Sequence, residues 1–307
     1  MIISASRRTD IPALYPLWFM NRVRAGFCTV PNPFAPSRRT TVSLAPKDVD
    51  AVVFWTRNPL PMLPFLEEIE TSGLDRYLFL FTLLDYPRPL EPNLPPLDER
   101  IETFHRLAER IGPERVIWRY DPIVMTEELT GAYHLDRFEH LAERLAGQTR
   151  RCIVSFMEAY AKGSRRMTQT NNGRFIPVEP RPPEAQSLLT GLNEIASKHG
   201  ISMSTCSQPK HRTTETVRNA PCIDAAAINR LFNGAVPCHK DRKQRERCLC
   251  AESRDIGVYD TCTHGCLYCY ANGDFSTSRR NAERHAPEAH GLDGHSDKPH
   301  LPLLDLI

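Results

Sequence analysis

Six short apolar runs punctuate the chain, at residues 2–6 (IISAS), 51–55 (AVVFW), 77–82 (YLFLFT), 116–118 (VIW), 152–156 (CIVSF) and 201–205 (ISMST). Several are continuous in apolar character rather than alternating, which predicts strands covered on both faces, as in a parallel sheet. Between them the apolar positions recur at helical spacing. Leu14, Phe19, Met20 and Val23 mark one helix, opened by Pro12 with Asp10 placed to cap it. Ile101, Phe104, Leu107 and Ala108 mark a second, and Phe138, Leu141 and Leu145 a third. A fourth runs from Leu188 to Ala196, with Gly200 as its stop. Residues 32–37 (NPFAPS) and the proline-rich stretch 87–96 read as loops. Strands alternating with helices, without hairpin signals, predict a parallel α/β core over residues 1–208.

The pattern changes from residue 209. Residues 209–277 hold loops, short helices and cysteines, and are expected to form a cysteine-rich segment packed on the same domain. From residue 278 the chain turns polar, and His285, His290, His295 and His300 recur every five residues, which matches no helix face. Residues 278–307 are expected to be a flexible extension.

In parallel α/β folds the reactive groups lie beyond the carboxyl ends of the strands. That rule selects Arg7, Arg8 and Asp10 after the first run; Thr56, Arg57 and Asn58 after the second; Arg119 and Asp121 after the fourth; Glu158 after the fifth; and Cys206 at the end of the sixth. Arg7 with Asp10, and Arg119 with Asp121, can pair simply to fix turns. The arginine forks also suit the carboxylate of an amino-acid cofactor or an anionic substrate. Trp55 and Trp118 read as core or rim packing.

Composition narrows the partners. With 39 basic and 37 acidic residues among 307, the net charge of +2 gives no bulk preference for nucleic acid or membrane. Lys240, Arg242, Lys243 and Arg245 stand against only Asp241 and Glu246. This local patch suits a solvated face or an acidic electron-donating protein better than nucleic acid. No apolar run approaches the ~18 residues of a membrane span, and the first residues lack a signal-peptide profile. A cytoplasmic location is expected, where ten cysteines are better explained by metal binding than by disulfides.

The densest chemistry lies in Cys262-Thr-His-Gly-Cys266-Leu-Tyr-Cys269. Three thiolates at these spacings can wrap one edge of a [4Fe–4S] cluster, whose four irons each need a ligand. Either a further side chain closes the site, a pattern that zinc with His264 or another cysteine would also satisfy, or one iron is open to a small molecule. Of the other seven cysteines, Cys28 and Cys152 fall in apolar runs and read as core. Cys206, Cys222, Cys248 and Cys250 can close a four-thiolate site holding a second [4Fe–4S] cluster or zinc, with Cys238 competing for one place.

The three-cysteine motif, with Tyr268 before its last cysteine, resembles that of the radical S-adenosylmethionine superfamily. The whole chain resembles the DUF1848 family, a domain of unknown function. The likeness runs through residues 1–12 (MIISASRRTDIP), 53–59 (VFWTRNP), 116–122 (VIWRYDP), 222–224 (CID) and 255–259 (DIGVY) to the cysteine motif.

The resemblance implies a partial (β/α) barrel and a [4Fe–4S] cluster on Cys262, Cys266 and Cys269. The open iron would be chelated by S-adenosylmethionine, whose reductive cleavage yields a 5′-deoxyadenosyl radical that takes hydrogen from a substrate. Arg7, Arg57, Arg119, Asp121 and Glu158 are then the catalytic candidates, and Arg8 and Tyr268 cofactor contacts. Many superfamily members carry a Gly-Gly-Glu stretch that this chain lacks; Glu158 or Asp85 would supply its acid. In most members the motif follows the first barrel strand, whereas here it lies near the C-terminus. The expected partners are a ferredoxin or flavodoxin and a small-molecule substrate. The alternatives are a non-catalytic iron–sulfur or zinc protein and an enzyme that modifies or repairs nucleic acid.

Overall fold

The computed structural model describes residues 1–158, 161–169 and 173–296. In chain order the first half comprises β1 (Ile2–Ala5), α1 (Ile11–Leu14), α2 (Pro16–Ala25), β2 (Phe27–Asn32), β3 (Ala35–Ser43), β4 (Ala51–Thr56), α3 (Leu66–Thr71), β5 (Tyr77–Thr82) and α4 (Leu97–Ile111). The second half comprises β6 (Val116–Ile123), α5 (Gly131–Arg144), β7 (Arg151–Phe156), α6 (Ala161–Gln169), α7 (Pro182–Lys198), β8 (Ser202–Thr205), α8 (Ala225–Phe232), β9 (Ser253–Asp255) and α9 (Phe275–Glu283).

The main sheet has seven strands in the order β8-β7-β6-β5-β4-β1-β9, and every neighbouring pair is parallel. The six apolar runs are the strands β1 and β4 to β8. The sheet is open: among the described residues no pairing joins β8 to β9.

Strand side chains alternate between two apolar layers, as the pleat requires. Val52, Phe54, Phe79, Phe81 and Trp118 pack with α2, α4, α5 and α7, and Phe54 stacks on Phe79 with ring centroids 4.7 Å apart. Val53, Trp55, Leu78, Leu80, Ile117 and Ile153 face the opposite way, toward Ile223 and Ile228 and the buried Cys222, Cys248 and Cys250. Both faces are therefore covered, which explains the continuous apolar runs. Trp118 lies wholly in the core, with its Nε1 donating to the Leu83 carbonyl at 2.9 Å.

Four features depart from the sequence pattern. The first helix is two, because Tyr15 leaves helical geometry at φ −136° and ψ 37° and Pro16 starts afresh. Residues 32–37 belong to an antiparallel hairpin of β2 and β3, paired from Phe27–Ser43 to Pro31–Arg39; Pro31, Pro33 and Pro36 hide it from a propensity reading. The seventh strand, β9, carries only Ser253, Arg254 and Asp255, and has no apolar signal at all.

Residues 278–296, expected in a flexible extension, are bound to α2 and the hairpin. Trp18 Nε1 donates to the Ala289 carbonyl at 3.0 Å, Arg22 Nη2 to that of Glu288 at 3.0 Å, and Thr29 N to that of His290 at 2.9 Å. Arg39 pairs with Asp293 at 2.5 Å. Main-chain carbonyls thus anchor a polar segment that side-chain hydrophobicity would leave loose. His300 and the rest of 297–307 lie outside the described residues. No helix among the described residues is long and apolar enough to cross a membrane.

Candidate functional site

A cavity of about 490 Å³ opens at the carboxyl edge of the sheet. Its wall draws on the ends of β1, β4, β6, β7, β8 and β9 and on the segments holding both cysteine sets. Arg7 and Arg8, Arg57, Arg119 and Asp121, and Glu158 all line it. So do Cys206, Cys222, Cys248 and Cys250 on one side, and Cys262, Cys266, Tyr268 and Cys269 on the other. All of these side chains face one space.

The Cys262–Cys269 loop is held at many points. Arg166 of α6 donates Nε to the Leu267 carbonyl at 3.0 Å, Nη1 to that of Asn272 at 2.8 Å and Nη2 to that of Cys269. Asn93 Nδ2 reaches the Thr263 carbonyl at 2.8 Å, and Leu267 N donates to the Leu90 carbonyl at 3.0 Å, so the proline-rich loop backs the motif. Gly163 brings α6 close: a Cβ there would stand 3.0 Å from the Tyr268 carbonyl oxygen. His264 is buried, and its Nε2 contacts Asp10 Oδ2 at 2.9 Å.

Asp10 does more than cap α1. Its Oδ1 accepts from Ala13 N at 3.0 Å and its Oδ2 from Arg57 N at 2.7 Å, so one carboxylate joins the β1, β4 and cysteine loops. No Arg7–Asp10 pair forms; Asp10 is engaged by Ala13 N, Arg57 N and His264 instead.

Around Cys266 and Cys269 lies a buried ionic group. Arg57 Nη1 donates to Glu91 Oε1 at 2.5 Å, the Tyr268 hydroxyl donates to the same oxygen, and Arg100 stands 3.7 Å from Oε2. The Arg57 guanidinium also lies 5.4 Å from the Tyr268 ring centre. Burial opposes the Arg57 charge, but Tyr268, Glu91, Cys266 and Cys269 hold its pKa well above the usual value. Burial likewise pushes the Cys266 thiol up to about 12 despite Arg57. Burial, with Cys269 close by, raises Cys262 further. Burial thus favours the protonated form of both thiols.

Across the cavity, Cys222 Sγ lies 3.1 Å from Cys206 Sγ, and Cys250 is within hydrogen-bonding reach of both Cys222 and Cys248. Bonds from Cys222 and then Cys248 lower the Cys250 pKa. Ile223 N also donates to Cys250 Sγ at 3.4 Å. Two guanidinium groups flank these thiols: Arg7 at 5.0 Å and Arg119 at 4.8 Å from the Trp55 ring centre. Arg119 pairs with Asp121, which also accepts from the Ser155 hydroxyl.

Asp255, at the end of β9, accepts from Ser4 Oγ at 2.9 Å, Ser6 Oγ at 2.8 Å, and the backbone N–H groups of Arg7 at 2.8 Å and Gly257 at 3.0 Å. It fixes the β1 end against the strand that leads into the motif. Gly257 is obligatory there, since a Cβ would fall 1.8 Å from Ser6 Oγ. Arg8 turns toward this corner, its Nη1 donating to the Gly257 carbonyl at 3.3 Å.

Some candidates point elsewhere. Asp85 accepts from Arg137 Nη1 at 3.1 Å on the α5 side and does not line the cavity, whereas Glu158, paired with Arg245, does. Asn58 does not line the cavity; its Oδ1 accepts from Leu60 N at 3.3 Å. Cys238 is exposed and lies apart, near the Val236 carbonyl, so it does not compete for a place among the four thiols. Cys28 and Cys152 are core residues.

Sequence reasoning missed the roles of Glu91, Arg166 and Asp255; Asp255 opens the 255–259 stretch of the family likeness, whereas Glu91 and Arg166 stand in no recognisable motif. Among the described residues no three or more His, Cys, Asp or Glu side chains are arranged to hold a single metal ion.

The fold and site define a parallel α/β protein whose carboxyl edge carries one cavity between two groups of cysteines. The chain belongs to the DUF1848 family, a domain of unknown function, whose model matches residues 2–271. No curated protein and no solved structure matches it.

Proposed function

We propose that this protein is a radical S-adenosylmethionine enzyme in which Cys262, Cys266 and Cys269 hold a [4Fe–4S] cluster with one iron left for the cofactor. The observation that carries this reading is the position of β9. It is late in the chain but pairs at the sheet edge beside β1. Read across space, the row runs β9-β1-β4-β5-β6-β7-β8, and the cysteine loop follows its first strand. On this reading the superfamily's spatial arrangement would be kept with the chain order permuted, and the open parallel sheet would serve as its partial barrel.

When bound, the cluster and S-adenosylmethionine supply a 5′-deoxyadenosyl radical able to remove hydrogen from a substrate. The chain's own residues orient and enclose. Arg57, fixed by Glu91, places positive charge beside Cys266 and Cys269. Tyr268, also tied to Glu91, closes the cavity wall beneath the motif. Arg8 and Glu158 present opposite charges to a molecule in the cavity and suit the two ends of an amino-acid group. A space of about 490 Å³ suits a small molecule.

The expected electron donor is an acidic ferredoxin or flavodoxin, docking where Arg242, Lys243 and Arg247 are exposed. The cytoplasm is the location proposed for such reduced thiols.

One contact favours a second reading. Asp10 holds His264 as carboxylates hold metal-binding imidazoles, which would let His264 close the site and leave no open iron. Electron paramagnetic resonance of the reduced, reconstituted protein separates the two. An open iron changes its signal on addition of S-adenosylmethionine, and 5′-deoxyadenosine then accumulates with dithionite. An unchanged signal and no 5′-deoxyadenosine in fully loaded protein would overturn the enzyme reading.

A further inference from the structure

The four thiols across the cavity are packed against one another. Cys222 Sγ touches Cys206 Sγ at 3.1 Å, and Cys250 bonds to Cys222 and Cys248. Sulfurs in contact do not match the ligands of a [4Fe–4S] cluster, which stand apart on separate irons. Tetrahedral zinc, at about 2.3 Å from each ligand, would also hold them wider, about 3.8 Å apart. Contact is instead the arrangement from which a disulfide closes. The backbone builds it. Thr205 N donates to the Arg218 carbonyl and Ala220 N to the Thr205 carbonyl, each at 2.9 Å, and Thr205 Oγ1 donates to Asn219 Oδ1 at 3.0 Å. The end of β8 and the segment before α8 therefore present their cysteines to each other.

Exposure orders the pair. Cys206 is half-buried, whereas Cys222, Cys248 and Cys250 are buried, and all four line the cavity. One open sulfur backed by an enclosed one divides naturally into attacking and resolving roles.

We infer that Cys206 and Cys222 form a redox dithiol that exchanges with a low-molecular-weight disulfide entering the cavity. The Cys206 thiolate attacks one sulfur of the incoming disulfide, whose S–S bond breaks; one thiolate departs and a mixed disulfide remains on Cys206. Cys222 then attacks Cys206 Sγ, the mixed disulfide breaks, and the second thiolate departs. The protein pair loses two electrons and two protons, and the incoming disulfide gains them as two free thiols. The protons pass through Cys250, which accepts from Cys222, to the departing thiolates. Arg7 neighbours Cys250, and its Nη2 is buried without a hydrogen-bond partner among the described residues, so its charge lies where a Cys250 thiolate would form. A cavity of about 490 Å³ admits a small disulfide but not one embedded in a folded protein. Where thiols are kept reduced, disulfides of this kind are transient and catalytic. The inference does not depend on the open-iron reading.

The full chain is reduced anaerobically, freed of reductant and treated with bis(2-hydroxyethyl) disulfide. After an acid quench, remaining thiols are capped with N-ethylmaleimide and the peptides mapped by mass spectrometry. Cys206 and Cys222 should be joined, with Cys248, Cys250, Cys262, Cys266 and Cys269 capped. Cys222→Ser halts the exchange at a mixed disulfide on Cys206, a product that a merely structural cysteine does not give. Cys250→Ser forms the same pair about 100-fold more slowly. Exchange persists in Cys262→Ser/Cys266→Ser/Cys269→Ser, so failure of the radical reading and failure of this one are separate results. A disulfide through Cys248 or Cys250, a mixed disulfide on either of them in the Cys222 variant, closure by hydrogen peroxide but not by the small disulfide, or zinc or iron at the four thiols in protein as isolated would overturn the proposal.

Discussion

Arg166→Ala is the most informative single perturbation of the cysteine loop. The side chain reaches the carbonyls of Leu267, Asn272 and Cys269, and its guanidinium carbon lies 4.9 Å from the Phe275 ring centre. A hydrogen bond from a charged donor contributes about 1.5–3 kcal/mol. Arg166 is only half-buried, so the freed carbonyls recover water and the low end applies. The three bonds also act as one unit and do not sum. The expected loss is about 2–4 kcal/mol of local loop stability. By the factor of ten per 1.4 kcal/mol, local opening becomes about 30- to 1000-fold more frequent.

Hydrogen exchange reads this directly at Leu267 N, bonded to the Leu90 carbonyl at 3.0 Å, and Cys269 N, bonded to that of Cys266 at 3.1 Å. Amides of β5 and β6, far from the loop, should keep wild-type rates. Arg166→Lys retains the charge but cannot serve three carbonyls at once, and should recover only part of the protection. Exchange at Leu267 and Cys269 within a few-fold of wild type would refute the view that α6 holds the motif in shape.

Two further outcomes follow from buried groups. Glu91→Gln leaves Arg57 and Arg100 without their counter-charge in the core. It should cost about 3–5 kcal/mol in urea unfolding, and a loss below ~1 kcal/mol, the scale of a surface pair, would contradict the ionic account. His134 lies between the Tyr120 hydroxyl at 2.9 Å and the Val124 carbonyl at 3.0 Å, and burial lowers its pKa to about 4. The folded state therefore binds fewer protons than the unfolded chain between about pH 6.5 and 4, and stability falls as pH falls through that window. The loss amounts to about 3 kcal/mol; denaturant melts across pH should show it, and His134→Gln should remove it.

The β5 pattern, five apolar residues in a row before Thr82, reads as a strand covered on both faces, and its parallel neighbours followed from the helices between. The cysteines were legible for a different reason: spacing of a rare residue carries information that survives without any structure. Because strand ends in a parallel sheet all face one edge, the polar groups after β1, β4, β6 and β7 could be assigned to one rim. Which of them touch was not legible. Arg7 and Arg119 share one tryptophan, and Asp10 serves three loops, only because β1, β4 and the motif meet in space. Arg166 and Glu91 are ordinary charged residues in sequence, and nothing in their local context marks them.

The strand that mattered most was the least visible. Ser253, Arg254 and Asp255 bury little, and a three-residue edge strand contributes few ladder hydrogen bonds. Its stability comes instead from its last side chain, since Asp255 gathers two hydroxyls and two backbone N–H groups from the β1 end and Gly257. Hydrophobic periodicity cannot detect an element held by one carboxylate. Yet that carboxylate sets the edge position of β9, and β9 sets where Cys262, Cys266 and Cys269 enter the rim. The motif, although late in sequence, therefore enters the rim at the β1 edge of the sheet.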